Sequence, residues 1–202
     1  NGRRSMTNKL FNIEDEVKRV LMELEGLKVR EGLLETPARV SKAYSTWFSG
    51  YGKDPSEILK VFKDGAEDYD EMVLVTDIPV YSHCEHHLAP IFGVAHIAYI
   101  PDGAIVGLSK LPRLVDVFAR RLQVQERLTS QIANCLNEQL SPKGVGVVLQ
   151  CRHMCMESRG ISLPGIVTTT SALKGSLKNE PDCRAEFLNL VQQSRRNANG
   201  VI

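Results

Sequence analysis

Strong charge of either sign, long apolar runs and an even set of cysteines are all missing from this 202-residue chain. Lys and Arg number 25 and Asp and Glu 24, leaving a net charge of +1. No global field therefore draws the chain to nucleic acid or an anionic membrane, and any bound anion must be held by a local cluster. No apolar stretch approaches the ~18 residues that a bilayer span needs. The opening segment NGRRSMTNKL has no apolar core of the secretion-signal kind, so it reads as a polar arm and a cytoplasmic location is expected. The five cysteines, Cys84, Cys135, Cys151, Cys155 and Cys183, form an odd set, which argues against a disulfide framework. No repeat at a fixed period and no low-complexity block is present. Histidine is scarce as well: the chain has five, and three of them stand in YSHCEHHLAP, residues 81–90.

What is present is a globular composition, 43% hydrophobic and 24% charged, in a length suited to one well-cored domain with a small appendage. Ile13, Val17, Val20, Leu21 and Leu24 recur at helical spacing and predict a helix over about 12–25. Thr36 and Pro37 read as a hydroxyl cap and a first-turn proline for a second helix, with Val40, Ala43, Tyr44, Trp47 and Phe48 as its apolar stripe. Residues 51–70 read as a connection. EMVLVTDIPVY predicts a strand, at a sheet edge because of Pro79. The histidine cluster follows as a loop, then IFGVAHIAYIPDG as a second strand. SKLPRLVDVFARR predicts a helix capped by Ser109, and Leu128, Ile132, Leu136 and Leu140 mark another. VGVVLQCRHMCM and GIVTTTSALKG read as strands, and Pro181 opens a last helix. Antiparallel pairs covered by helices on one side make an α+β domain.

Along the third strand, alternation places Val145, Val147, Leu149, Cys151, His153 and Cys155 on one face. Two remote segments thus end in Cys/His clusters, 83–87 and 151–155. Thiolate and imidazole suit zinc, which takes them in a tetrahedron. Cys84-x-x-His87 has the spacing for two ligands, and the third comes from Cys155 or Cys151. Three protein ligands leave a position for water, the mark of a catalytic site. His86 and His153 are then close to the metal yet available to carry protons. Cys135 and Cys183 read as core or surface thiols, His96 as a satisfied strand histidine, and His83 as a solvent-facing loop residue. Ser109, Lys110 and Arg113 open a helix, whose free N–H groups favour anions, and Arg159 follows Cys155 closely, so this set suits a small phosphorylated ligand. Arg39 and Lys42, three apart, read from spacing as a solvated helix face.

CEHH, GLSKLPRLVDVFARR, QVQERLT and HMCMESRG, in this order and spacing, resemble zinc-dependent GTP cyclohydrolase I of type IA, from about residue 32 to residue 191. The resemblance implies a tunnelling fold, an antiparallel four-stranded sheet with two helices on one face, preceded by an N-terminal helical extension. The organisation expected is a flexible arm over 1–10, a helical region over 11–69 and a tunnelling-fold catalytic domain with a C-terminal helix over 70–197. It implies a homodecamer with active sites at subunit interfaces, and no nucleic-acid or membrane partner. The implied reaction converts GTP to formate and 7,8-dihydroneopterin triphosphate, the entry to folate or tetrahydrobiopterin synthesis. The family's zinc ligands fall on Cys84, His87 and Cys155, which selects Cys155 over Cys151. Its catalytic residues fall on His86, His153 and Ser109. Zinc-activated water attacks C8 of guanine while the two histidines shuttle protons. Glu126, with Gln125 beside it, matches the guanine site. Lys110, Arg113 and Arg159 match triphosphate ligands, and Arg39 and Lys42 match residues lent by a neighbouring subunit. Competing expectations are another tunnelling-fold pterin or deazapurine enzyme, and a non-catalytic zinc-stabilised binding module with a fourth protein ligand.

Overall fold

The computed structural model describes residues 12–26, 29–63 and 69–198, with side chains as far as residue 194. The expected arm over 1–10 lies outside the described residues. The chain divides into two compact units after Lys53. The first holds α1 (Glu14–Glu25), whose opening turn carries Glu14, Asp15 and Glu16 where the helix dipole favours acid. It packs against α2 (Thr36–Trp47). Thr36 is the first residue of α2 and not its cap. A 3-10 turn over Glu31–Leu33 runs straight into the helix, so Glu35 stands at the cap position with helical dihedrals and makes no capping bond.

In the second unit, residues read as a bare connection contain structure too local for periodicity to reveal. Asp54 accepts hydrogen bonds from the Ser56 N–H and hydroxyl and opens a 3-10 turn. β1 (Val61–Phe62) pairs antiparallel with β4 (Ile105–Val106). The main sheet is built from four long antiparallel strands: β2 (Val73–Cys84), β3 (Pro90–Ile100), β6 (Gly144–His153) and β7 (Thr168–Gly175), side by side in that order. β5 (Leu122–Gln123) adds a short parallel pairing to β2 at His83 and Cys84 alone. At Pro79, β2 is therefore an edge strand, where a missing N–H costs no ladder bond.

α3 (Lys110–Ala119) and α4 (Gln125–Leu140) supply one side of the main core. Leu111, Leu114 and Val115 of α3, and Leu128, Ile132 and Leu136 of α4, are fully buried. Each such side chain contributes about 1.5–3 kcal/mol by leaving water. Ser109 precedes α3 without making a capping bond. The other sheet face carries a smaller cluster, which the sequence reading had left bare. There α6 (Ser176–Asn179) and α7 (Pro181–Ala198) bring Leu177, Phe187 and Val191 against Ala98, Ile100 and Val148.

Side-chain parity along β2 changes once. Val73 and Val75 pack on the main core, whereas Met72 and Leu74 pack on the smaller cluster. Past the register shift between Val75 and Ile78 it is Ile78, Val80 and Cys84 that join the main core. Two residues, Thr76 and Asp77, stand opposite one, His96, which is a β-bulge. Asp77 takes a left-handed φ of 57°, and its N–H donates to His96 Nδ1 at 3.3 Å. His96 is thus a buried, hydrogen-bonded histidine, as its strand position suggests.

The β3–β6 pairing is close enough to test. A Cβ on Gly93 would lie 2.0 Å from the Gln150 carbonyl oxygen and 2.7 Å from Cys151 Cα. Gly93→Ala is expected to cost about 1–3 kcal/mol by overpacking. At roughly 2–4 °C per kcal/mol for a chain of this size, a thermal melt reads this as a lower Tm. An unchanged melting temperature would contradict the pairing.

Candidate metal centre and surrounding site

Cys84 ends β2, and the chain reverses immediately beyond it. The Cys84 N–H donates to the Ala89 carbonyl at 2.8 Å, the Leu88 N–H returns to the Cys84 carbonyl at 2.8 Å, and Leu88 closes the turn with φ 54°. This tight turn brings His87 Nδ1 to 3.7 Å from Cys84 Sγ. His86 Nδ1 also approaches that sulfur, at 3.9 Å, with its ring plane at 82° to that of His87. Neighbouring positions alone suggest rings that point apart; the turn instead brings both to one thiol.

Cys155 arrives from the far end of β6. The strand stops at His153, and α5 (Met154–Glu157) is a single helical turn. Cys155 is therefore carried by a helix and not by strand alternation, although the cluster meets as expected. Arg152 Nε donates to Glu157 Oε1 at 2.8 Å, and its Nη2 pairs with Oε2, so the guanidinium brackets the turn. The same guanidinium lies over the Phe92 ring. Cys84, His87 and Cys155 end with their ligand atoms all within 4.8 Å of one another. They are buried, exposed and half-buried in that order. Among the described residues this is the one such group of His, Cys, Asp or Glu. Two sulfurs and one nitrogen form a donor set that fits zinc. Burial, then the hydrogen bond and charge of Cys84, push the Cys155 thiol above its ordinary pKa.

Cys151 is outside the group. It is fully buried, and burial pushes its thiol up to about 12, so it serves the core as a small hydrophobe. Cys135 is half-buried against the main core, and Cys183 donates to Glu180. His83 is a half-buried residue of β2, paired with Pro90 and Leu122, and not a loop residue.

His153, two residues before Cys155, is half-buried, with Nε2 2.7 Å from Gln125 Oε1. Burial holds its pKa below the usual histidine value, and the charge of Glu126 acts in the opposite sense. Glu126 is exposed in the first turn of α4. Gln125 is 2% exposed and wholly engaged with its own protein. Ser109 and Arg113 are exposed and Lys110 half-buried at the start of α3, and Arg159 is exposed just after α5. In the first unit Arg39 is exposed and paired with Glu35, one turn earlier, and Lys42 is exposed. Sequence reasoning missed Glu85 and Arg127. They form an ion pair next to His86, whose Nε2 is 3.6 Å from Glu85 Oε1. Arg127 is steadied by Gln123 Oε1 at 3.2 Å. A carboxylate inside CEHH was the available signal for this support.

The model of the family "GTP cyclohydrolase I" matches residues 13–192. GTP cyclohydrolase 1 of Janthinobacterium sp. (strain Marseille) is 61% identical over 91% of this chain and 92% of its own length. That of Nitrosospira multiformis is 60% identical over 87% and 92%. That of Corynebacterium glutamicum is 56% identical over 81% and 83%.

Metal retention discriminates ligands from neighbours. Cys84→Ser or Cys155→Ser is expected to lose most bound metal, whereas Cys151→Ser and His153→Ala keep it. Elemental analysis of the purified variants reads this directly. A His153→Ala variant empty of metal would make that residue a ligand.

Proposed function

The chain belongs to the GTP cyclohydrolase I family, and from that premise we propose how its residues divide the work. The enzyme hydrolyses GTP to formate and 7,8-dihydroneopterin triphosphate. The observation that carries the reading is the meeting of Cys84, His87 and Cys155.

Zinc held by Cys84, His87 and Cys155 would supply Lewis acidity, activating a water at neutral pH. Burial of His153 disfavours its charged form. His153 takes the proton that the attacking water gives up and hands it to the imidazole nitrogen of guanine as C8 becomes tetrahedral. His86 is exposed in the turn and moves protons between solvent, the water and the ribose. Glu126 accepts two parallel hydrogen bonds from the N–H edge of guanine, a pattern adenine does not offer. Ser109 and Lys110 at the start of α3, with Arg113 and Arg159, bind the triphosphate, where helix N–H groups and guanidinium forks favour phosphate oxygens.

Subunits join into a decamer, and Arg39 and Lys42 of one reach the phosphates of the next. Two features support an assembly. β7 is the terminal strand of the sheet and leaves one edge of its ladder open. The stretch before it exposes Ile161, Leu163, Ile166 and Val167. Five free cysteines suit a reducing cytoplasm, and among the described residues no helix is long and apolar enough to cross a membrane.

Metal-replete protein incubated with GTP is expected to release formate and a product that fluoresces after oxidation; no formate from such protein overturns the reading. Native mass spectrometry is expected to give ten chains. Glu126→Gln is expected to raise KM for GTP roughly 10–100-fold, the range of a lost charged hydrogen bond of about 1.5–3 kcal/mol. An unchanged KM would remove Glu126 from the guanine site.

A further inference from the structure

The role of Gln125 is open to a reading that neither its position in QVQERLT nor the family match supplies. Its side chain is 2% exposed and makes four polar contacts, all with its own protein. Nε2 lies 3.2 Å from the Leu149 carbonyl oxygen, 2.9 Å from the Thr168 carbonyl oxygen and 3.0 Å from Thr170 Oγ1. Two of these three neighbours are carbonyls, which only accept. Turning the amide over would set oxygen against oxygen twice, so the NH2 group must face β6 and β7. Thr129, 1% exposed, closes the arrangement: its hydroxyl donates to the main-chain carbonyl of Gln125 at 2.7 Å and lies 2.7 Å from Thr170 Oγ1. The Thr170 proton then goes to Thr129, which leaves Thr170 Oγ1 to accept from Gln125.

With the amide held this way, Oε1 is an acceptor aimed at His153 Nε2, 2.7 Å away. The hydrogen in that contact belongs to the imidazole. We propose that Gln125 is a positioning residue that fixes His153 as the Nε2–H tautomer, so that Nδ1 is the nitrogen that moves protons. In the reaction Nδ1 accepts the proton that the water attacking C8 gives up, which makes the imidazolium. It then passes that same proton to the guanine nitrogen and returns to the neutral Nε2–H form. The inference rests on His153 being the proton carrier of the proposed reaction. It withdraws Gln125 from the residues that touch substrate, where resemblance had put it.

Two measurements on metal-replete enzyme test it. Solid-state 15N spectra of histidine-labelled protein report the tautomer, His153 being assigned by its absence from His153→Ala. Neutral His153 is expected to carry its proton on Nε2; a proton on Nδ1 overturns the proposal whatever the variants do. Gln125→Met keeps the length of the side chain and removes the acceptor. It is expected to lower kcat about 10–100-fold, as loss of a ring-orienting partner does. It should leave KM for GTP within about threefold, keep the metal, and give His153 signals of both tautomers. An unchanged kcat, or a raised KM with kcat intact, would show that Gln125 binds substrate or does neither. Should the Met variant not fold, the parent spectrum alone decides. Failure of the parent to release formate sinks the functional reading separately, since the spectrum needs no turnover.

Discussion

The site exists because β2 carries one residue too many. In a regular strand the side chains alternate without exception, so Val73 and Val75 on the main core would predict Cys84 on the opposite face. The bulge at Thr76 and Asp77 reverses the alternation halfway along, and Cys84 arrives on the face that carries His153. A slip of one position flips every side chain beyond it, so the bulge is a condition for the metal group to assemble at all. Its left-handed Asp77 is unusual for a residue with a Cβ. The bond from its N–H to buried His96 holds the bulge where it is. A histidine far from the chemistry thereby serves the chemistry through strand register.

Much of the architecture was legible because it is periodic. Leu128, Ile132, Leu136 and Leu140 mark α4 at every fourth position, and all are buried. The four long strands could be read from β-branched alternation, and the convergence of Cys84, His87 and Cys155 from their place in motifs. What was not legible is aperiodic. The bulge has the same composition as the strand around it. The helical turn at Cys155 depends on a bracket between Arg152 and Glu157 that no period announces. The covering of the second sheet face depends on where α7 returns. The role of Gln125 depends on two carbonyls from different strands, Leu149 and Thr168, meeting one amide. Resemblance transfers residue positions, but which atoms a side chain faces is a tertiary fact.

The three candidate metal ligands also form a gradient of exposure, and this bears on the proposed function. Cys84 is anchored in the core, Cys155 rides a half-buried turn, and His87 stands in solvent. A structural zinc site closes its coordination with protein and gains by burying it; an open rim suits an ion that must meet a substrate. The two histidines repeat the same gradient of exposure. His153 sits half-buried against a fixed amide, while His86 is exposed in a turn steadied by Glu85 and Arg127. A buried ring with one nitrogen tied is directional, able to accept and give at a single atom. An exposed ring exchanges with water and is suited to resetting the site. In the proposed reaction, rigidity on the β6 side and access on the turn side suit the two histidines to different halves of one proton circuit. That division follows from the sheet: strand ends are held by their ladders, whereas the turn between β2 and β3 is held by a few backbone bonds at its base.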